Sequence, residues 1–431
     1  MASISGGSGR NVGPGMTFDL ANANEESTRV GMSQFGLLRQ MATIAAGSAL
    51  GQCVVLATTP LLARIYSPAE FGEYAAFLAM CNVFVTAACL RYDAALNASD
   101  DRHTGWVFGV ACFAAVGTAM LVFLIAWSSW GRDSIDRVIG RQVDATWIAA
   151  AAVSCGVYQA TSTMAIRNGQ FGRSSLLRAG QPMVFSIAAI VLPIGLISSC
   201  LLGFLTALPL AARYVADLRS ASGGAIARAA WRFREFPMMS LPTSILDALS
   251  LALPIWFITA QYSSMDAGNY AQVQRLVAAP LVLFAIAMGQ VFLKRAGDLV
   301  RAGQSARAFQ RRVVMYLVGG ACALAVAIEL FFSPLLSLLL GHNWRTDTAF
   351  LMLVFAPVAV RSSVSPVTGI FLVRNRLRIC ATWQIFYFVV TASIFYYLAG
   401  QVSLEYLLAA YAVSETVCYG LYLYLADRVA E

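Results

Sequence analysis

The sequence predicts an all-α polytopic membrane protein of about twelve transmembrane helices, arranged as two six-helix bundles related by a parallel pseudo-two-fold repeat. Three observations carry this expectation. Of 431 residues, 59% are hydrophobic and 12% charged, with a mean hydropathy of +0.68, more apolar surface than a soluble core can take up. The apolar residues fall in long runs, and a helix crossing a bilayer needs about 20 of them. One short polar motif also occurs twice, as "YSPAEFGEY" (Tyr66–Tyr74) and "YSSMDAGNY" (Tyr262–Tyr270), both fitting Tyr-Ser-x-x-acid-x-Gly-x-Tyr.

Taken in order, residues 1–33 are rich in Gly, Ser and Asn and place no apolar stretch directly behind a basic start. They read as a disordered cytoplasmic tail rather than a signal peptide, with Met16 and Met32 as alternative starts. The N-terminal bundle, 34–216, contains spans at 40–64, 69–97, 104–130, 145–167, 174–193 and 195–216. Only "LPIGL" separates the fifth from the sixth, and the longest outer loop runs from Gly131 to Asp144. Residues 217–236 form a linker in which "AIARAAWRFREF" alternates basic and apolar residues, as an amphipathic helix lying along the inner surface would. The C-terminal bundle, 237–431, contains spans at 237–260, 265–293, 312–338, 347–373, 379–399 and 404–427. Runs this long and unbroken exclude barrel strands, leaving helices as the structure that satisfies the backbone in lipid.

The two motifs join spans 1–2 and 7–8. An even separation of six spans keeps both copies facing the same way, so the repeat is parallel. Gly72 and Gly268 within them are expected to serve close packing where spans 2 and 8 begin.

Orientation follows from the 30 Lys and Arg residues. Five fall on the outer side (Arg64, Arg132, Arg137, Arg141, Arg345) and three lie within spans (Arg91, Arg275, Arg361). The rest gather on the inner side, which puts both termini in the cytoplasm. The formal net charge of +8 therefore reflects topology and anionic headgroups, not nucleic acid. Nine cysteines are scattered singly through apolar runs without a CxxC pair, and His103 and His342 fall in expected loops at opposite faces. Neither disulfides, a metal centre nor another cofactor is expected.

An ionisable group at mid-membrane costs about 2.5–3.5 kcal/mol on insertion scales, so such residues are functional leads. Asp247, Arg275, Arg361 and Glu415 sit near the middle of spans 7, 8, 10 and 12. Ser240, Thr243, Asp247 and Ser250 recur on one face of span 7, with Pro242 and Pro254 on either side of the acid. Asn269, Gln272 and Arg275 share a face of span 8. Tyr411, Glu415, Tyr419 and Tyr422 make an aromatic stripe around one carboxylate on span 12. In span 2, Arg91 lies between cavity and interface. Asp93 lies about 200° around the helix from Arg91, so the two do not share a face, and it continues the stripe Asn82, Thr86, Asp93, Asn97. Structural ion pairs and bundle packing are the plain alternative for all of these residues.

Three stretches carry a family resemblance. "RIYSPAEFGEYAAFLAM" with "LRYDAAL" is similar to the first hairpin of the Wzx-type polysaccharide flippases, a branch of the MOP superfamily. "FREFPMMSLPTSILDALSLALPIWFITAQYSSMDAGNYAQVQRLVAAPLVLFAIAMGQVF" resembles the family's spans 7 and 8, and "APVAVRSSVSPVTGIFLVRNRLRI" its span 10. The resemblance implies translocation of a polyprenyl-pyrophosphate-linked oligosaccharide across the bacterial inner membrane, for exopolysaccharide, capsule or O-antigen export. It also implies alternating access through a cationic cavity, a coupling gradient of protons or Na⁺, and work alongside a polysaccharide polymerase and export machinery.

In that setting Arg275, Arg361 and Arg91 are the candidate donors to pyrophosphate, with Gln272, Tyr411 and Tyr419 as further pyrophosphate or sugar contacts. Asp247, Glu415 and Asp93 are the candidate ion-coupling carboxylates. The alternative is a MATE-like cation-coupled multidrug exporter, which would favour a cavity rich in carboxylates and poor in arginine. A membrane enzyme is not expected, because the outer loops are short and no DxD-like acidic motif occurs.

Overall fold

The computed structural model describes Thr43 and residues 46–216 and 223–431. The expected tail over 1–33, the first residues of span 1 and the start of the linker lie outside the described residues.

Span 1 forms α1 (Ala46–Ile65). Span 2 is broken into α2 (Pro68–Ala87) and α3 (Tyr92–Ala98). Next come α4 (Asp101–Trp127), α5 (Ser129–Ile139), α6 (Ala145–Arg167), α7 (Phe171–Val191), α8 (Gly195–Leu205) and α9 (Leu208–Ala216). The linker carries α10 (Gly223–Arg232), followed by a π-turn at Phe236–Ser240. The second lobe comprises α11 (Leu241–Gln261), α12 (Ser264–Arg301), α13 (Arg307–Ala327), α14 (Ser333–Leu340), α15 (Thr348–Val364), α16 (Ile370–Val373), α17 (Leu377–Leu398) and α18 (Leu404–Val429).

Each expected span coincides with one helix or a closely joined pair. Nine described helices are long and apolar enough to cross a membrane, or ten when the bent pair α2–α3 counts as one. The two spans outside that group are α6 and α18, of 23 and 26 residues. Both carry their polar residues inward: Ser154, Thr161 and Ser162 on α6, and Ser414 and Glu415 on α18, are buried. Their lower hydropathy is thus a consequence of packing inside the bundle, where polar side chains find partners.

Three local expectations change. Residues 131–144 are mostly helical rather than a loop. Ser128 caps α5 by accepting from the Gly131 amide, and Gly140, at φ 83°, ends it. The charged composition of this stretch hides an apolar edge at Ile135 and Ile139 that packs on the core. His103 stands in the first turn of α4 rather than in a loop. Span 2 is not continuous: Leu90 and Arg91 both adopt left-handed conformations, at φ 48° and 62°, and the chain bends by 42° between α2 and α3.

The repeated motif organises the join between lobes. Ser67 and Ser263 cap α2 and α12 by accepting from the Glu70 and Asp266 amides, and each acid bonds back to its serine. The Tyr66 hydroxyl donates to the Ala189 carbonyl and the Tyr262 hydroxyl to Val402, 2.8 Å in both halves. Tyr74 and Tyr270 are buried. The two glycines bring α2 and α12 into backbone contact. A Cβ at Gly72 would stand 1.8 Å from the Ser264 carbonyl oxygen, and one at Gly268 would stand 1.8 Å from that of Pro68.

One apolar core runs through both lobes at this hinge end, from Phe71 and Phe77 through Val273 and Val277 to Trp344. The indole nitrogens of Trp344 and Trp256 donate across the join to the Ala63 and Ala76 carbonyls, each at 3.1 Å. Away from the hinge end the lobes have separate cores, one around Tyr92, Leu96 and Phe108 and one around Phe292, Phe371 and Ala426. The lobes are therefore joined at one end and distinct at the other.

Candidate functional site

Two adjoining cavities lie between the lobes. One, of about 380 Å³, is lined by Asn82, Thr86 and Arg91 from the first lobe and Ser244 and Asp247 from the second. The other, of about 250 Å³, lies nearer the hinge end and is lined by Tyr74, Tyr270, Gln272, Gln274 and Arg275. Ala79, Asn82 and Leu251 line both, so the two adjoin across a shared wall and together make up the chamber between the lobes.

Arg91 reaches the chamber because of the break in span 2. Its Nε donates to Ser240 Oγ of the opposite lobe at 3.3 Å, and its Nη1 lies 4.0 Å from Asp93. This corrects the expectation that Arg91 and Asp93 point apart, which holds only for an unbroken helix. The stripe through Asn82, Thr86, Asp93 and Asn97 is likewise divided. Asn82 and Thr86 face the chamber, whereas Asp93 is buried and accepts from Gln159 at 3.0 Å. Asn97 is exposed elsewhere.

Arg275 lines the hinge-end part beside the buried Tyr74 hydroxyl. Gln272 is buried in the chamber wall, and its amide nitrogen has no partner among the described residues. Asn269, on the same face, accepts from the Arg345 amide and fixes the α14–α15 loop instead. On α11, Asp247 is exposed to the chamber. Ser244, one turn away, joins it there, a residue the stripe expected from sequence passed over. Ser250 turns inward and bonds the Leu246 carbonyl.

Arg361 and Glu415 lie elsewhere. Arg361 Nη2 donates to Glu415 Oε1 at 2.9 Å, to the Tyr411 hydroxyl at 2.9 Å and to the Tyr387 hydroxyl at 2.6 Å. Tyr387 in turn donates to Glu415 Oε1 at 2.5 Å. Glu415 is fully buried. Tyr422 stacks on Trp383 and Tyr419 meets that indole edge-on, neither lining the chamber, and Tyr411 packs on Phe395. Tyr387, Tyr411 and Tyr419 thus surround the Arg361–Glu415 ion pair inside the second lobe; neither member of the pair lines the chamber, although Arg361 is near enough to Asp247 for their charges to interact. Sequence pattern identified the stripe on α18 but not Tyr387, which sits in an unremarkable apolar run of α17.

Removing one partner of such a buried pair leaves a charge without compensation, at a cost of about 3–5 kcal/mol. The pair therefore tethers α15 to α18. The chamber by contrast holds Arg91 and Arg275 against Asp247, with neutral amides and hydroxyls between them.

The described residues thus form a multi-pass membrane protein with two helical lobes around a central chamber. Solved structures place that architecture more closely. The lipid II flippase MurJ in an inward closed conformation aligns with a TM-score of 0.67 at 11% identity, over 89% of this chain and 86% of that one. A multidrug resistance MATE family transporter of the MOP superfamily, inward-facing, aligns at 0.54 and 12% identity, over 90% and 94%. A MOP superfamily transporter from Pyrococcus furiosus, described as having a binding pocket of reversed polarity, aligns at 0.53 and 12%, over 90% and 95%. The chain therefore shares the fold of these structures. No family model and no curated protein matches the sequence.

Proposed function

We propose that the protein is a flippase moving a polyprenyl-pyrophosphate-linked oligosaccharide across the bacterial inner membrane by alternating access. The observation that carries this reading is the placement of Arg91 and Arg275, one from each lobe, on the two adjoining cavities between the lobes. Guanidinium groups offer forked donors that match phosphate oxygens, and they stay charged in a low-dielectric site. With Asp247 the one acid on the chamber wall among the described residues, the local balance favours an anion. The orientation given by the basic residues puts the hinge end outside. The lobes then meet on the outer side, and the chamber is reached from the cytoplasm. Arg91, bonded to Ser240 across the inner mouth, would exchange that neutral partner for a pyrophosphate oxygen as the head group enters. The polyprenyl chain stays in the bilayer, and the polymerase and export machinery would act on the product outside.

A MATE-like exporter of cations is the second reading, supported by Asp247 facing the chamber. It is disfavoured because two arginines there would repel a cationic load. Replacing Arg91 and Arg275 by Ala, singly and together, and following surface polysaccharide at matched protein levels tests the proposal. Export is expected to fall at least tenfold in each single variant, and wild-type export in the double variant would refute it.

A further inference from the structure

A third cavity, of about 240 Å³, lies within the first lobe at the hinge end, apart from the chamber. It is lined by Glu73 of α2, by Arg141, Gln142 and Asp144 ahead of α6, by Trp147 in the first turn of α6, and by Ser198 of α8. Asp144 occupies the N-cap position of α6 yet makes no capping hydrogen bond. An aspartate at that position ordinarily binds the helix amides; here its carboxylate is left for the cavity. Glu73 is largely buried and lies 3.4 Å from Arg141. Trp147 is 42% exposed.

An indole face, two carboxylates, an amide, a guanidinium and a hydroxyl around one small space suit a ligand that is both ring-shaped and rich in hydroxyls. Ring hydroxyls can donate to Glu73 and Asp144 and accept from Arg141 and Gln142, while the C–H face lies on Trp147. Cavities for drug-sized ligands are about 300–1,000 Å³, so this one fits a single ring rather than a chain. Its charge is opposite in character to that of the chamber. Glu73 and Asp144, with Glu70 also on the wall, outnumber Arg141 and disfavour a phosphate.

We propose that this cavity is a saccharide subsite that takes one neutral sugar ring of the load at the exit side. The assignment of the load as oligosaccharide rests on the flippase reading; the sugar chemistry of the cavity does not. Gly140, next to Arg141, is pressed against Ser264 and Thr259 of the second lobe. A sugar held here therefore bears on the segment that touches the lobe contact. Pyrophosphate would be retained by the arginines in the centre while sugar is gripped outside, an arrangement that sorts the two ends of one substrate.

Saturation-transfer NMR on the purified full-length protein in nanodiscs, with free glucose, galactose, mannose and N-acetylglucosamine as probes, tests this directly. Transfer is expected for at least one probe, with the apparent Kd raised fivefold or more by Trp147→Ala and by Asp144→Asn. Trp147→Phe, which keeps a ring, should retain most of the affinity, and Arg275→Ala should leave it unchanged. No transfer from any probe, or equal transfer in Trp147→Ala, would overturn the subsite and show Trp147 to be a bilayer-interface anchor. Loss in Arg275→Ala with no loss in Trp147→Ala would move the sugar to the chamber and also refute it. Trp147-dependent sugar binding alongside normal export in the Arg91 and Arg275 variants would leave this site standing while removing the flippase reading.

Discussion

Gly72 and Gly268 pack against each other's helices, each close to the other's amide nitrogen and each facing the carbonyl of a residue at the other helix's start. The two copies of the repeated motif are thus not merely equivalent positions in two halves. They touch, and together they close the hinge end of the molecule.

Adding a methyl group at either glycine should pry α2 from α12. The clashing atom is a backbone oxygen, which cannot swing aside as a flexible side chain would. Gly72→Ala and Gly268→Ala are each expected to cost about 1–3 kcal/mol. Because both act on one contact, the double variant should lose less than the sum of the singles. Thermal unfolding of the four proteins in one detergent measures this; strict additivity would mean that the contact is not shared.

For Arg361 and Glu415, Glu415→Ala or Arg361→Ala alone should destabilise the protein by about 3–5 kcal/mol, whereas Arg361→Met with Glu415→Leu should recover much of the loss. Denaturation midpoints give the answer. A double variant as unstable as the singles, yet still exporting, would contradict the tether.

Arginine geometry in the chamber can be separated from charge. Arg91→Lys and Arg275→Lys keep the positive charge but lose the fork. With hydrogen bonds to charged groups worth about 1.5–3 kcal/mol, each should weaken substrate handling roughly ten- to a hundredfold. Transport titrated against substrate in vesicles would show it. Unchanged half-saturation in both would mean that the arginines act only as point charges.

The break in span 2 holds Leu90 at φ 48°, a conformation costing an L-residue roughly 1–2 kcal/mol. Leu90→Gly should therefore be neutral to stabilising, and Leu90→Val clearly destabilising. Melting temperatures of the two variants check this. A large loss on Leu90→Gly would show that the leucine side chain, 38% exposed, matters more than the backbone.

Much of the architecture was legible because a bilayer leaves so few choices. Apolar runs marked out the long helices, nine or ten of them apolar enough to cross a membrane among the described residues, even where "LPIGL" alone parts α7 from α8, since Pro193 and Gly195, at φ 79°, cannot continue a helix regularly. The site was less legible. Arg275 and Asp247 line the chamber, and Arg91 enters it through a helix break that no glycine or proline announces. Arg361 satisfied every criterion of depth and charge, yet turned to Glu415 and Tyr387 instead of the chamber. Ion pairing between distant helices depends on their rotation about their own axes, which periodicity within one helix cannot report.

The long apolar helices and the matched serine caps of α2 and α12 were thus open to reading from sequence, because burial of apolar length and capping by Ser67 and Ser263 are local matters. Only the tertiary structure decided which buried charges are spent on each other and which face an open space. Those partners lie on helices far apart in the chain, and only packing brings them within hydrogen-bonding distance or holds them apart.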